Sequence, residues 1–186
     1  MCCISFTEKI SVETTTSQNT QKKNSSSLQK ALLQHGVATV PLRGGNASLR
    51  ASAPEDTEFI YDSWLKSYRD SKAHKLVRKE FYYRGHSNKI DAIVSRQGTR
   101  VVVAANTDDA GHLFGYVVFE LLPGGHNAVL HYIYVKQSYR RRGLGRHLLE
   151  VVESAGELTT MSHYPPSTEV YRYFKKKGEE YDPYKQ

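Results

Sequence analysis

The sequence has few of the residues that build covalent or metal cross-links. Of its 186 residues two are cysteines, Cys2 and Cys3, and they are adjacent near the N-terminus. Two neighbouring cysteines cannot form a disulfide framework or supply a zinc site, so a reducing compartment is the simplest expectation. The eight histidines are scattered, and none stands four residues from another. We therefore predict no bound metal.

Long apolar runs are also missing. Nowhere do about 18 consecutive apolar residues occur, as a membrane-spanning helix needs, and the N-terminus lacks the apolar centre of a signal peptide. Residues 7–30 are rich in Ser, Thr, Gln, Asn and Lys and are too polar to fold alone. The expected organisation is a disordered tail over residues 1–46 and one domain over residues 47–186, in a cytoplasmic protein without membrane contact.

The net charge is positive, with 26 Lys and Arg against 19 Asp and Glu, and the pI is near 9.3. A basic protein of this kind can bind nucleic acid. Much of the charge outside the tail is local, however. One basic group surrounds a glycine-containing turn and consists of Lys136, Arg140, Arg141, Arg142 and Arg146. The second, Arg172 with Lys175, Lys176 and Lys177, is more simply the solvated face of a helix than a site for an acidic ligand.

Residues 129–150 change their apolar period from that of a strand to that of a helix. Residues 129–135 mix β-branched, aromatic and aliphatic side chains, as a buried strand does. Apolar side chains then recur at helical spacing, at Leu144, Leu148, Leu149, Val152 and Ala155. Between the two, Gly143 and Gly145 leave room for backbone N–H groups to approach a ligand, and the helix adds the positive end of its dipole. The pattern predicts a phosphate-binding turn.

The glycine spacing separates this turn from other phosphate sites. A Walker loop needs Gly-x-x-x-x-Gly-Lys and a dinucleotide turn needs Gly-x-Gly-x-x-Gly, and neither pattern occurs. The turn instead reads Arg140-x-x-Gly143-x-Gly145 and follows a strand that ends at Val135. It resembles the acyl-CoA motif of the GCN5-related N-acetyltransferase (GNAT) family, from which it departs at Gln137, where the family often has proline. A helix that merely begins after a basic loop is the alternative interpretation.

The rest of the sequence predicts the elements of one domain. Apolar runs predict strands over residues 36–42, 47–51, 99–105, 113–122, 127–135 and 157–163. Ser52, Pro54 and Glu55 predict the start of a helix, whose apolar positions Phe59, Ile60, Trp64 and Tyr68 follow a helical rhythm. A second helical region is predicted over residues 75–96, broken near Gly85, and a last helix over residues 168–177.

The resemblance implies an α+β fold with three layers, in which helices flank a GNAT-like, mixed, mostly antiparallel and splayed sheet. Only eight residues follow Gly178, whereas the family usually ends with a strand hairpin. We therefore expect a fold shortened at the C-terminus, with an acceptor cleft that is open or completed by a second subunit. The protein would be a monomer or a homodimer.

The resemblance also implies a co-substrate, acetyl-CoA. Its pantetheine arm is expected along the backbone of Ile133, Tyr134 and Val135. Its phosphates are expected at the turn and the surrounding basic residues, which are Arg140, Arg141, Arg142, Gly143, Leu144, Gly145 and Arg146.

Acetyl transfer to an amine needs a base that removes a proton from the ammonium group. The run Leu130-His131-x-Ile133-x-Val135 resembles that of arylalkylamine N-acetyltransferases, and the resemblance implies that His131 is catalytic. Because His131 precedes Val135 by four residues, we expect both on one face of the strand. A structural histidine, hydrogen-bonded within the sheet, is an equally weighted alternative. Glu120 and His163 are weaker candidates for the base.

The departing thiolate needs a proton, which the family often takes from a tyrosine four residues before the glycine that ends its last helix. That position holds Phe174, which cannot donate a proton. Tyr173 is the nearest substitute, although it could equally be a core aromatic residue, and Tyr171 is more simply a core residue. Water can also protonate a thiolate, so the departure need not abolish activity.

Three functions follow as hypotheses. The first is an acetyl-CoA-dependent N-acetyltransferase that acts on a primary amine of a small molecule or a protein. The second is a GNAT-fold module that binds an acyl-CoA with little or no turnover, which Phe174 and the short C-terminus favour. The third, less favoured, is an enzyme acting on nucleic acid or aminoacyl-tRNA. A weaker resemblance links residues 59–69 to small acetyltransferase-like proteins of tailed bacteriophages, which implies a host-cytoplasmic location.

Overall fold

The computed structural model describes residues 36–69, 74, 76–162 and 180–182. Within them the chain forms a seven-stranded sheet whose strands follow sequence order. The strands are β1 (Val37–Leu42), β2 (Gly45–Ala51), β3 (Thr99–Ala105), β4 (Leu113–Leu121), β5 (Asn127–Val135), β6 (Glu157–Met161) and β7 (Glu180–Tyr181). The helices are α1 (Thr57–Arg69), α2 (Lys79–Val94) and α3 (Leu144–Ala155), with short 3-10 turns at Pro54–Asp56 and Gln137–Tyr139.

The sheet is mixed but mostly antiparallel. Strands β1 to β5 pair antiparallel with their neighbours, whereas β6 runs parallel to β5 and β7 runs parallel to β6. The connection from β5 to β6 contains α3, because parallel neighbours need a crossover. The predicted fold class, a GNAT-like splayed sheet flanked by helices, is confirmed. None of the helices in the described ranges is long and apolar enough to cross a membrane.

Two hydrophobic clusters lie on opposite faces of the sheet. The first cluster packs α3 against the sheet through residues such as Leu144, Leu148 and Val117. The second cluster packs α1 and α2 against the other face and is rich in aromatic residues. There Trp64 is 1% exposed and stacks on Tyr132 with 4.7 Å between ring centroids. Truncation of a buried aromatic side chain of this kind costs about 3–5 kcal/mol, so this contact fixes α1 on β5.

The sheet begins before residue 47, where the sequence placed the start of the domain. Strand β1 lies within the predicted tail, pairs with β2 along its whole length, and buries Ala38 and Val40 on one face. This corrects the predicted boundary. The strand itself was predicted over residues 36–42, and it belongs to the domain because it pairs with β2 and because Val40 joins the first cluster.

The predicted break of the second helix near Gly85 is wrong. Helix α2 runs continuously from Lys79 to Val94, although it begins later than predicted. A helical glycine costs only about 1 kcal/mol relative to alanine. Burial of Tyr82, Ile90 and Ile93 in the second cluster offsets that cost.

Two glycine-to-alanine substitutions are expected to change stability in opposite directions. A Cβ atom at Gly115 in β4 would lie 2.4 Å from the carbonyl oxygen of Tyr134, whereas a Cβ atom at Gly85 would meet no atom within 4 Å. Gly115→Ala should therefore lower the free energy of unfolding by about 2 kcal/mol or more. Gly85→Ala should raise it by about 0.5–1 kcal/mol. Urea unfolding of both variants measures this, and a tolerated Gly115→Ala would contradict the close approach of β4 and β5.

Candidate active site

The chain leaves β5 through a turn whose backbone is held in left-handed conformations. Arg141 has φ 61° and Gly143 has φ 96°. Gly143 is the N-cap of α3, and its carbonyl accepts the N–H groups of Arg146 and His147. A positive φ is strained for most residues other than glycine, which explains the glycine at 143. A side chain at Gly145 would meet only Val135, at 3.9 Å from its Cγ2 atom.

Consecutive backbone N–H groups of this turn are available to a ligand. None of the N–H groups of residues 141–145 donates to an acceptor within the part of the chain that the structure describes. They stand at the N-terminus of a twelve-residue helix, where the dipole favours an anion. The turn can therefore bind a phosphate through its backbone alone.

Contacts with neighbouring strands hold the turn in place. Tyr139 stacks on Phe114 with 3.9 Å between ring centroids, and the guanidinium of Arg142 lies over Tyr139 at 5.3 Å. Arg140 donates from Nε to the carbonyl oxygen of Val135 at 3.0 Å. The backbone N–H of Arg43, between β1 and β2, donates to the carbonyl oxygen of Arg142 at 3.0 Å. These contacts hold the turn in its conformation without a ligand.

The hairpin of β1 and β2 is also fastened to α3 through His147. Its Nδ1 lies 2.9 Å from Oε2 of Glu150, and its Nε2 lies 3.0 Å from the carbonyl oxygen of Pro41. Both partners only accept hydrogen bonds, so the arrangement fits a protonated imidazole. The hydrogen bond with Glu150 raises the pKa of His147 above its ordinary value.

The predicted coenzyme residues differ in what they expose. Arg140, Arg141 and Arg146 are exposed around the turn, and Arg142 is half-buried. Leu144 is 1% exposed and belongs to the first cluster, so only its backbone N–H can contact a ligand. Nε of Arg146 lies 3.4 Å from Oε1 of Glu150. A surface ion pair of this kind contributes little to stability.

Strand β5 presents a backbone edge beyond the end of its pairing with β6. The ladder between the two strands ends at Leu130 and Met161, and β5 continues to Val135. Ile133, Tyr134 and Val135 pair with β4 on one side, and their other side has no strand partner within the described residues. The main-chain N–H and C=O groups on that side of Ile133, Tyr134 and Val135 are therefore not paired with any strand of the described residues.

The prediction that His131 shares a strand face with Val135 is wrong, because β5 contains a bulge. Val118 pairs with Tyr132 and Phe119 pairs with Leu130, which leaves His131 as the extra residue. Leu130 and Ile133 both pack on the first cluster, although three positions separate them. The two residues between them leave that face. A bulge has no local sequence signature here, so simple alternation failed.

His131 is fully buried and has a polar partner at each ring nitrogen. Its Nδ1 lies 2.6 Å from Oγ of Ser162, and its Nε2 lies 3.0 Å from Oε2 of Glu120. The same carboxylate oxygen accepts a hydrogen bond from Arg96 at 2.9 Å. These four side chains, Arg96, Glu120, His131 and Ser162, are called the polar chain below. They come from four separate segments of the sequence.

The environment moves the pKa values of two members of the polar chain. Burial lowers the pKa of His131 below its ordinary value, although its hydrogen bond with Glu120 and the charge of that carboxylate oppose the change. Burial alone would raise the pKa of Glu120. Hydrogen bonds from Arg96 and His131 outweigh burial, so the pKa of Glu120 is lowered. Near neutral pH the carboxylate is ionised and the imidazole is largely neutral.

Some of the predicted site residues lie along β5, and others lie outside the described residues. The structure places the turn and the backbone of Ile133 to Val135 at one end of β5 and His131 farther along the same strand. Of the weaker base candidates, Glu120 is a partner of His131, and His163 lies outside the described residues. Tyr173 and Phe174 also lie outside them, so the thiolate acid stays a prediction. The described residues contain no group of three or more His, Cys, Asp or Glu that could hold a metal.

The sequence did not predict that Ser162 and Arg96 belong to the polar chain around His131. Ser162 follows β6, and its N–H donates to the carbonyl oxygen of Leu130 at 3.1 Å. Arg96 follows α2, 35 positions before His131. Neither residue belongs to a motif, because their role depends on strand pairing and helix docking. An arginine near a buried carboxylate becomes visible only in three dimensions.

A cleft of about 690 Å³ lies between the start of α1 and the β3–β4 hairpin, beside Lys136, which follows the C-terminal end of β5. Its walls carry both charges, with Glu58 and Asp62 on α1 and Lys136 after β5. The ammonium of Lys136 lies 4.7 Å from the ring centroid of Phe59. No member of the polar chain lines this cleft. It therefore lies at the turn end of the strand.

Comparisons with known proteins bear on the family and the fold. The family model described as acetyltransferase (GNAT) family matches residues 57–174. No curated protein matches the sequence significantly.

Solved structures that are similar to this chain have low sequence identity to it, and two of those named here have a TM-score above 0.5. A protein of Pyrococcus furiosus described as an acetyl transferase is 18% identical, with a TM-score of 0.57, over 71% of this chain and 91% of the other. Bacillus subtilis YycN, described as an acetyltransferase, is 10% identical, with a TM-score of 0.56, over 71% and 90%. The PaiA N-acetyltransferase of Thermoplasma acidophilum, in complex with coenzyme A, is 16% identical, with a TM-score of 0.47, over 70% and 87%. Because the family model covers more than half of the chain, the protein belongs to the GNAT family of acetyltransferases.

Proposed function

We propose that the protein is an acetyl-CoA-dependent N-acetyltransferase that transfers the acetyl group directly to a primary amine. The observation that carries this proposal is the combination of two features of β5. The strand has a backbone edge that is open within the described residues, and it ends in a turn with N–H groups available at residues 141–145. A thioester coenzyme with a peptide-like arm and a pyrophosphate fits both features in this order.

The turn is suited to the pyrophosphate. Its backbone N–H groups and the N-terminus of α3 supply directional donors, and the exposed Arg140, Arg141 and Arg146 supply positive charge. The phosphates of one coenzyme account for this basic group without nucleic acid. Charge near the turn would also increase the association rate at low ionic strength.

The open edge is suited to the pantetheine arm. Amide groups of the arm can pair with the main chain of Ile133, Tyr134 and Val135 as an added strand does. The acetyl group would then lie near the bulge at His131, close to the last residues of β5 that pair with β6. Hydrogen-bond donors at such a place can polarise the thioester carbonyl.

The amine must lose a proton before it attacks. His131 is the proposed general base, because a neutral imidazole titrates near physiological pH and its lowered pKa keeps it unprotonated. The N–H bond of the ammonium breaks first, and the neutral amine then attacks the carbonyl carbon. Breaking of the C–S bond releases the thiolate, which takes a proton from Tyr173 or from water.

Release of coenzyme A in the presence of amines tests this function. A thiol reagent such as DTNB detects the product, and the panel contains 2-phenylethylamine, spermidine, a lysine-containing peptide and a peptide with a free α-amino group. We expect release with at least one amine above the rate of hydrolysis without amine. Mass spectrometry should show a gain of one acetyl group on that amine. Binding of acetyl-CoA without release of coenzyme A in the presence of any amine would instead support a module that binds the coenzyme without turnover.

The proposal also covers the class of acceptor, the location in the cell and the assembly state. The acceptor would be a small-molecule or protein amine, the location the cytoplasm, and the assembly a monomer or homodimer. An acceptor on nucleic acid or aminoacyl-tRNA remains the less favoured alternative, which tight and steeply salt-dependent binding to tRNA would support. The weaker resemblance of residues 59–69 to phage proteins stays a prediction.

A further inference from the structure

The tip of the β1–β2 hairpin lies against the turn that follows β5. The two strands pair as far as Leu42 and Gly45, so Arg43 and Gly44 form the connection between them. The N–H group of Arg43 donates to the carbonyl oxygen of Arg142 at 3.0 Å. A Cβ atom at Gly44 would lie 4.0 Å from Nη1 of Arg142. The hairpin tip therefore borders the proposed pyrophosphate site directly.

A second contact fixes the hairpin tip relative to α3. The imidazole of His147, near the start of α3, lies with Nδ1 at 2.9 Å from Oε2 of Glu150 and with Nε2 at 3.0 Å from the carbonyl oxygen of Pro41. Pro41 precedes Arg43 by two residues in the same hairpin. The backbone of Arg43 is thus held beside the turn without a ligand. A ligand that binds there loses little affinity to the ordering of this backbone.

The arginine residues at the turn differ in whether protein groups already hold their side chains. Nε of Arg140 donates to a main-chain oxygen at 3.0 Å, the guanidinium of Arg142 lies 5.3 Å from the centre of an aromatic ring, and Nε of Arg146 lies 3.4 Å from a carboxylate oxygen. Arg43 and Arg141 are exposed, and neither side chain forms a hydrogen bond, an ion pair or a ring contact within the part of the chain that the structure describes. Among the described arginines at the turn, these two guanidinium groups remain for an anion.

Coenzyme A has three phosphates, and in the proposed site the turn supplies its donors to two of them. The N–H groups of residues 141–145 and the side chain of Arg141 belong to one run that suits the pyrophosphate. The third phosphate is attached to the ribose at the 3′ position. Arg43 approaches this region from a separate element, and a guanidinium can hold a terminal phosphate through two parallel hydrogen bonds.

We propose that Arg43 binds the 3′-phosphate of coenzyme A and makes the protein selective for coenzymes that carry this phosphate. The inference rests on the proposed function and deepens its coenzyme site. It extends the site to the β1–β2 hairpin, which precedes residues 57–174, the range that the family model matches. Arg141, by contrast, serves the pyrophosphate.

Two ligands and two variants separate these roles. Arg43→Gln should raise the Kd of acetyl-CoA by about 5- to 20-fold, because charge-assisted hydrogen bonds are lost at an exposed site. It should leave the Kd of acetyl-dephospho-CoA, which lacks the 3′-phosphate, within about twofold of the wild-type value. Arg141→Gln should weaken the binding of both ligands by similar factors, because both contain the pyrophosphate. Isothermal titration calorimetry at low ionic strength measures each Kd, since salt screens exposed charges.

Arg84→Gln is the matched control. Arg84 is an exposed arginine on α2, which packs on the sheet face opposite α3, so its loss changes the net charge equally and leaves the hairpin untouched. Both Kd values of this control should stay within about twofold of wild type. Arg43→Lys keeps the charge without the two parallel hydrogen bonds and should restore only part of the affinity for acetyl-CoA. Thermal unfolding of each variant checks the fold.

The outcomes distinguish this inference from the proposed function. A wild type that binds acetyl-CoA and acetyl-dephospho-CoA with the same Kd would overturn the role of the 3′-phosphate. An Arg43→Gln variant that weakens the binding of both ligands equally, or of neither, would remove Arg43 from that role. If the wild type binds neither ligand, the proposed coenzyme site itself fails. Selective weakening of acetyl-CoA binding by Arg43→Gln supports the inference whether or not any amine is acetylated.

Discussion

A Gly143→Asp, Gly145→Asp double variant is expected to lose acetyl-CoA binding. Gly143 has φ 96° and caps α3, so an aspartate there would tend to accept the N–H groups that the turn leaves available. A second carboxylate at position 145 adds negative charge in the first turn of α3 and repels a phosphate. An aspartate at position 143 is also strained, because φ 96° favours glycine, so the fold of the variant is checked beside its binding.

We expect the Kd of acetyl-CoA to rise at least 100-fold, which corresponds to about 2.8 kcal/mol. Isothermal titration calorimetry measures it, and thermal unfolding checks that the domain remains folded. The matched control is Gly124→Asp, Gly125→Asp in the β4–β5 turn. Both of these glycines also have positive φ and open space around a Cβ atom. Equal binding by the double variant and the wild type would remove the turn from the coenzyme site.

Replacement of the proposed base is expected to have the largest effect on turnover. His131→Gln should lower kcat by about 100- to 10,000-fold, because glutamine does not titrate and cannot receive the proton. Its amide can still donate to Glu120, so less of the buried polar chain is left without a partner than with alanine. The expected cost in stability is about 1–3 kcal/mol, and the Kd of acetyl-CoA should be preserved.

Initial rates at saturating acetyl-CoA, with the amine identified from the panel, measure this effect. His126→Gln serves as the control, because His126 is an exposed histidine in the β4–β5 turn. A folded His131→Gln variant with near wild-type kcat would show that the histidine is structural. That outcome would favour the alternative that the sequence alone left open, a histidine hydrogen-bonded within the sheet.

The strands and the turn could be predicted because their signals are local. The strands Thr99–Ala105 and Asn127–Val135 have the bounds that their apolar runs predicted, and α3 begins at the residue after Gly143. Glycine spacing, a preceding strand and a following amphipathic helix all lie within residues 127–155, so each can be read from the sequence. The residues expected to bind the coenzyme could be predicted from the sequence for the same reason.

The surroundings of His131, the proposed base, could not be predicted to the same extent. The bulge at His131 depends on how β5 pairs with β4, and the partners of its imidazole lie on β4 and after β6. Strand β1 was predicted over residues 36–42 but was left outside the domain, because only its pairing with β2 joins it to the sheet. Gly85 was taken as a break because local propensity was weighed without the burial of Tyr82, Ile90 and Ile93. Long-range packing decided each of these points.

A crystal structure of the wild-type protein with acetyl-CoA is the most direct test of the proposed coenzyme site. We expect pyrophosphate oxygens within hydrogen-bond distance of the backbone N–H groups of residues 141–145. We also expect pantetheine amides paired with the main chain of residues 133–135 and the acetyl group next to the bulge at His131. A coenzyme bound elsewhere on the domain, with the turn unoccupied, would contradict the proposed site.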